Sequence, residues 1–124
     1  MKDPTNPVCR TISTLLARIG DKWTVLVVGT LAEGPRRFNE LRREIPSVSQ
    51  RMLTLTLRNL ERDGLVSRTV TPTIPPRVDY ELTELGESLQ KPIAGLAQWA
   101  LDNVGTIHEA QARYDSDQDA SIAA

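Results

Sequence analysis

Gln50, Arg51, Thr54 and Arg58 fall within the stretch "SVSQRMLTLTLRNLERDG", residues 47–64, and raise the first chemical question. A carboxamide, two guanidinia and a hydroxyl make no nucleophile and no acid–base pair. What they share is hydrogen bonding to flat polar groups. An amide can pair two-fold with adenine, a guanidinium with guanine or a phosphate, and threonine offers a methyl to thymine. Ser47 and Ser49, just ahead of them, are candidates for the same contacts.

These side chains need an element that points them one way. At 100° per residue, Met52, Leu53, Thr56, Leu57 and Leu60 gather on one arc of a helix, and Gln50, Arg51, Thr54, Arg58, Glu61 and Arg62 on the other. Leu55 falls on the polar arc without an apparent reason. Ser47 with Gln50 three residues later matches a capping box, and Gly64 closes the helix. Ahead of it, "PRRFNELRREIP" is confined by Pro35 and Pro46 to about two turns, with Phe38, Leu41 and Ile45 on one face.

Two earlier helices follow from the same periodicity. Val8, Ile12, Leu15, Leu16 and Ile19 recur at helical spacing and stop at Gly20. Asp21 can cap a helix through "KWTVLVVGTLAEG" to Gly34, apolar nearly all round and therefore expected at the buried centre. After Gly64 the period changes to two. "LVSRTV" and "RVDYEL" read as strands joined by "TPTIPP", whose prolines cannot donate to a ladder and so form a protruding loop. Thr83 can cap a last long helix, bent at Pro92, with an apolar stripe through Leu85, Leu89, Ile93, Leu96 and Ala100 and with Trp99 beside it.

Short helix, three-residue turn, longer helix, β-hairpin: this is the order of a helix-turn-helix followed by a wing. The fold class expected is α+β, mainly helical, a winged helix-turn-helix with additional N- and C-terminal dimerisation helices. In it the polar arc is the base-reading edge of a recognition helix in the major groove, with Arg58 placed for phosphate. Arg36 and Arg37 would address phosphates, as would Lys22 near a helix start, while Arg77 after the rigid Pro75–Pro76 pair would enter a minor groove. The plainer readings are a solvated helix face, Arg51 held by Glu40 or Glu44, and Arg77 paired across the strands.

Charge supports the nucleic-acid reading once it is divided along the chain. The formal net charge is −1 over 124 residues. Residues 36–77 carry nine arginines against four acids, whereas residues 78–124 carry two basic groups against nine acids. The near-neutral average hides a basic middle and an acidic end. One cysteine, Cys9, excludes an intrachain disulfide and a multi-cysteine metal site. No glycine-rich phosphate loop and no Ser/His/Asp or Cys/His arrangement is present, and the lone His108 reads as solvated, so an enzyme is disfavoured. No cofactor and no membrane partner are expected, and the default location is the cytoplasm.

The segments "IGDKWTVLV", "GPRRFNELRREIP", "SQRMLTLTLRNLERDGLVSR" and "PPRVDYELTELGESL" resemble the HxlR-type bacterial winged-helix transcription regulators, over roughly residues 9 to 101. The run Arg51–Arg68 followed by Pro-Pro-Arg-Val and Leu-Thr-x-Leu-Gly is specific in combination. The chain departs from the family at Asp21, where a second glycine is usual, at Thr71, where an aromatic is common, and at Arg10, where proline often follows the cysteine. The resemblance implies a homodimer on a pseudo-palindromic operator of double-stranded DNA, often as a repressor of a nearby gene. It also implies sensing of oxidants or electrophiles through Cys9, so a small-molecule or oxidant inducer is a candidate partner.

The resulting division is a flexible arm over 1–7, a winged helix-turn-helix with dimerisation helices over 8–108, and an acidic disordered tail over 109–124. Val8, Ile12, Leu15, Leu89, Leu96 and Trp99 are surplus apolar residues for a two-fold interface. Cys9 near a helix start is either a redox-sensing thiol or a small buried hydrophobe. The competing function is a winged helix used only for protein contacts.

Overall fold

The computed structural model describes residues 5–123, so the first four residues of the expected arm, and Ala124, lie outside the described residues. The chain forms two units, Met1–Gln90 and Lys91–Ala124, where the sequence suggests one domain over 8–108.

The first unit opens with α1 (Pro7–Ile19) and α2 (Lys22–Leu31). Asn6 Oδ1 accepts from the Val8 N–H at 2.8 Å, and Pro7 occupies the first helical position, where a missing N–H costs nothing. The expected arm therefore already caps and enters a helix at Asn6 and Pro7. Asp21 caps α2 as anticipated, its Oδ2 accepting from Trp23 and Thr24 N–H, each at 3.1 Å. The helix ends at Leu31, short of Gly34, and its burial is one-sided: Thr24, Val27, Val28 and Leu31 are covered, while Leu26 is exposed.

Next comes an element that periodicity does not reveal. Arg36–Arg37 form a two-residue strand, β1, antiparallel to β3 (Arg37 lies opposite Asp79). It leads into α3 (Phe38–Glu44), whose Glu40 carboxylate accepts from the Arg37 N–H at 2.9 Å. A turn closed by Val48 N–H to Ile45 C=O then places Pro46 at its second position. Helix α4 (Gln50–Arg62) is capped by Ser49, not Ser47: Ser49 Oγ accepts from the Met52 N–H at 3.0 Å. Val48 is buried, which fixes the frame of the turn and leaves Ser47 within it.

Helix α4 anchors the core. Leu53, Leu57 and Leu60 are buried on it, with Thr56 beside them. It packs on α2, whose Val27, Val28 and Leu31 are buried, while Leu41 and Ile45 are buried elsewhere in the core. Truncating any one of these leucines would cost about 2–5 kcal/mol. The helix ends in a Schellman motif, with Leu65 N–H on Leu60 C=O and Gly64 N–H on Glu61 C=O. Gly64 has φ of 78°, a conformation that side-chain-bearing residues avoid.

β2 (Val66–Thr71) and β3 (Arg77–Leu82) form the wing, and the three strands lie in the order β1-β3-β2. Only Val66 and Leu82, at the base, are buried, so the outer ladder and the 72–76 loop project into solvent as expected. Thr83 joins the wing to α5 (Glu84–Ser88). Its Oγ1 donates to Gly64 C=O at 2.6 Å and accepts from the Gly86 N–H at 3.1 Å. Gly86 sits so close to the preceding chain that a Cβ there would stand 2.1 Å from Leu65 O.

The long terminal helix expected after Thr83 is two helices, α5 and α6 (Gln90–Ala123), parted at Leu89. Pro92 explains the place of the break: it has no N–H for Ser88 C=O, and its ring crowds that carbonyl. In the second unit α6 runs through the acidic segment to Ala123, where a disordered tail is expected from composition. Nothing after Pro92 interrupts it, since no further proline occurs. Among the described residues no helix is long and apolar enough to cross a membrane.

Candidate nucleic-acid interface

The first turns of α4 carry the predicted edge. Gln50, Arg51, Thr54, Leu55 and Arg58 line one open depression, so four predicted residues come together with one that was unexplained. Thr54 Oγ1 donates to Gln50 C=O at 2.8 Å, which commits its proton and leaves a methyl and an acceptor for contact. Leu55 is 50 % exposed in this depression, an apolar surface among polar ones and suited to a thymine methyl. Ser49 serves as the cap, and Ser47 is exposed in the turn.

Arg51 is held by neither acid considered for it. Glu40 is engaged with the Arg37 backbone and Glu44 with Arg36. Among the described residues no ion pair or side-chain hydrogen bond engages the guanidinia of Arg51, Arg58, Arg37, Arg42 or Arg43. A helix edge with two unpartnered guanidinia, an amide and a methyl matches the donors and apolar surface that base edges and phosphates require.

Arg36 and Arg37 part company. Arg36 Nε lies 2.8 Å from Glu44 Oε2, Nη2 lies 3.4 Å from Glu33 Oε2, and Nη1 donates to the carbonyls of Gly34 and Pro35 at 3.1 Å each. The Glu44 hydrogen bond, helped by the charges of Glu44, Glu33 and Glu40, raises the Arg36 pKa above its ordinary value. Its guanidinium is thus engaged within the fold, at the residue where the sequence reading expects a phosphate contact. Arg37 is exposed, because successive residues of a strand face opposite ways.

A second concave surface, about 810 Å³, is lined by Arg37, Asn39, Glu40, Arg42, Arg43, Pro46 and Arg77. Arg77 Nε also pairs with Asp79 Oδ2 at 2.9 Å, along its own strand and not across to β2. Arg42 and Arg43 escaped the sequence reading. Both are exposed on α3, Arg43 opposite the face of Phe38, Leu41 and Ile45 and Arg42 at its flank. Lys22 is exposed, with its ammonium 4.8 Å from the centre of the Trp23 ring.

The apolar residues singled out for a two-fold interface divide between the units. On α1, Val8 and Leu15 are exposed and Ile12 is half-buried, and Leu16 adds a further exposed side chain. Leu89 is half-buried. On α6, Leu96 and Trp99 are exposed and the stripe continues through Ile107 to Tyr114, past the boundary at 108 drawn from sequence. Cys9, in the first turn of α1, is buried.

Three helices, an exposed polar edge on the last of them and a two-stranded wing define a winged helix-turn-helix protein of the DNA-binding class. Residues 18–108 match the HxlR-like helix-turn-helix family, and the chain belongs to that family of transcriptional regulators. A curated HTH-type transcriptional regulator of Methanothermobacter thermautotrophicus is 48 % identical over 88 residues, covering 71 % of this chain and 67 % of that one. The redox regulator HypR in its reduced form superposes with a TM-score of 0.73 at 40 % identity, covering 80 % of this chain and 98 % of its own. The diamide-treated YodB of B. subtilis gives 0.67 at 35 % identity, covering 78 % and 96 %.

Proposed function

We propose that the protein is a sequence-specific repressor that binds a pseudo-palindromic operator as a homodimer and responds to oxidants through Cys9. The observation that carries the DNA part is the α4 edge, where Gln50, Arg51, Thr54, Leu55 and Arg58 face one open depression with both guanidinia unpartnered. Arg51 and Gln50 read bases, Thr54 and Leu55 supply methyl contacts, and Arg58 takes phosphate. Ser47, Arg37, Arg77 and Lys22 remain as flanking contacts.

The exposed apolar side chains of α1 and α6 support the homodimer, since single-chain packing leaves them in water. Two half-sites about 10 base pairs apart, or a multiple, follow from two recognition helices related by a two-fold axis. Repression is the sense in which such a dimer acts when its operator overlaps a promoter.

The redox part draws on HypR, described as a redox regulator, and on YodB, whose structure was determined after diamide treatment. With one cysteine per chain, a disulfide joins two Cys9 Sγ atoms across the dimer, two protons and two electrons passing to the N=N bond of diamide. This requires the two Cα atoms within about 7 Å. It also requires α1 to loosen, because Cys9 is buried.

The test measures binding to the chain's own upstream DNA by anisotropy, with mass by light scattering, before and after diamide, for wild type and Cys9→Ser. Expected are a dimer, salt-sensitive binding, and loss of binding on oxidation in wild type alone, with a crosslinked band on a non-reducing gel. A monomer overturns the dimer, absence of binding overturns the regulator, and an equal response of both proteins makes Cys9 a packing residue.

A further inference from the structure

We infer that the cleft between α3 and the start of β3 is a seat for the phosphodiester backbone of DNA, with Arg42 and Arg43 as its principal donors; this rests on the DNA-binding reading above. Four guanidinia, those of Arg37, Arg42, Arg43 and Arg77, border one concave surface of about 810 Å³. Its only acid is Glu40, whose carboxylate is turned to the Arg37 N–H. Asp79 offsets Arg77, but among the described residues nothing pairs with the guanidinia of Arg37, Arg42 or Arg43.

Converging like charges repel, and the fold does elsewhere what would relieve that repulsion. Arg36, the neighbour of Arg37, is bound by two carboxylates and two carbonyls. Glu33 and Glu44 are directed to it and not to the cleft. The cleft is therefore left with excess positive charge and a set of planar, forked donors, the arrangement that takes phosphate oxygens two at a time.

The occupant is a polymer backbone and not a base edge. The cleft shares no lining residue with the α4 depression, and its walls come from α3 on one side and the wing strand on the other. Asn39 adds an amide on the same wall. A duplex whose major groove receives α4 has a strand running beside that groove, and contacts there position the protein without reading sequence. The assignment divides labour between two surfaces: α4 discriminates, and the α3–wing cleft supplies sequence-independent affinity.

The experiment measures binding of the full chain to a mixed-sequence 40-base-pair duplex over a salt series, for wild type, Arg42→Ala/Arg43→Ala and Arg42→Lys/Arg43→Lys. Each phosphate contact contributes about 0.9 to the slope of log K against log salt. Because the proposed dimer carries two copies of each arginine, wild type should then lose about a hundredfold more affinity than the alanine variant between 50 and 200 mM salt. The lysine variant should keep the wild-type slope. Should the double alanine variant fail to fold, Arg42→Gln and Arg43→Gln singly should each lower the slope by about 1.8, two contacts per dimer.

An unchanged slope in the alanine variant overturns the assignment while leaving DNA binding intact. An equal fall in the lysine variant overturns it too, because the residues then act through the fold. Calorimetry with inorganic phosphate separates the remaining source: saturable binding lost in the alanine variant, with the DNA slope unchanged, makes the cleft a small-anion site and overturns it. Failure of the wild type to bind any duplex overturns the DNA reading itself.

Discussion

Arg18 Nη1 lies 2.6 Å from Asp63 Oδ2, joining the last turn of α1 to the C-terminal cap of α4. Both side chains are about four-fifths covered, at 23 % and 21 % exposure. A carboxylate at the end of α4 opposes the helix dipole, and the guanidinium of Arg18 offsets that. The pair therefore fixes α1 against the end of the helix that carries the recognition edge. Arg18→Ala should destabilise the protein by about 1–2 kcal/mol, between the values for exposed and buried pairs. In a urea double-mutant cycle, Asp63→Ala added to it should cost less than Asp63→Ala alone. Strict additivity would mean that the two side chains do not couple.

Gly86→Ala tests a close approach. The new Cβ would meet the carbonyl oxygen of Leu65 at 2.1 Å, a backbone atom held in register by its bond to Thr83 N–H. A loss of about 3 kcal/mol is expected, seen as a lower urea midpoint with an unchanged slope. Stability equal to wild type would show that α5 can shift without cost.

Arg51→Ala should weaken operator binding by about 1–3 kcal/mol per half-site and lower the ratio of specific to non-specific affinity. Competition against mixed-sequence DNA measures this. A parallel loss on both DNAs would move Arg51 from base to phosphate.

Arg36→Ala should behave in the opposite sense. Its guanidinium serves Glu44, Glu33 and two carbonyls, so the variant should melt at lower temperature and keep the wild-type salt dependence of DNA binding. A reduced salt slope at unchanged melting temperature would restore Arg36 as a phosphate contact.

Local chemistry made much of the fold legible. Asp21 and Thr83 mark helix starts decided by capping hydrogen bonds, Gly64 marks an end decided by its positive φ, and the change of period after Gly64 places the hairpin. What escaped depends on distant chain. β1 is two residues long and exists only because β3 lies beside it. The choice of Ser49 over Ser47 as cap follows from burying Val48, which the capping pattern does not express. The continuation of α6 to Ala123 shows that acidic composition without a breaker does not end a helix. At the site, the α4 edge could be read because one helix carries all of it, and Leu55 gained a reason only beside Arg51 and Arg58. The α3–wing cleft brings together residues as far apart as Arg37 and Arg77, a proximity created where β1 pairs with β3 and α3 also meets it.

That pairing also sets an order of assembly. Arg36 and Tyr80 are 44 positions apart, and the segment they enclose contains α3, α4 and β2. Closing such a loop costs about 3 kcal/mol in chain entropy beyond the constant for any closure. The β2–β3 ladder, starting from Thr71 and Arg77 only six positions apart, meets far less resistance. The wing can zip before the sheet is complete, with β1 docking last against a finished edge and held by only two residue pairs. By the same reasoning β1 is the first piece to leave: its amides should exchange with solvent ahead of those of α4, and the basic cleft should come apart while the recognition helix is still folded.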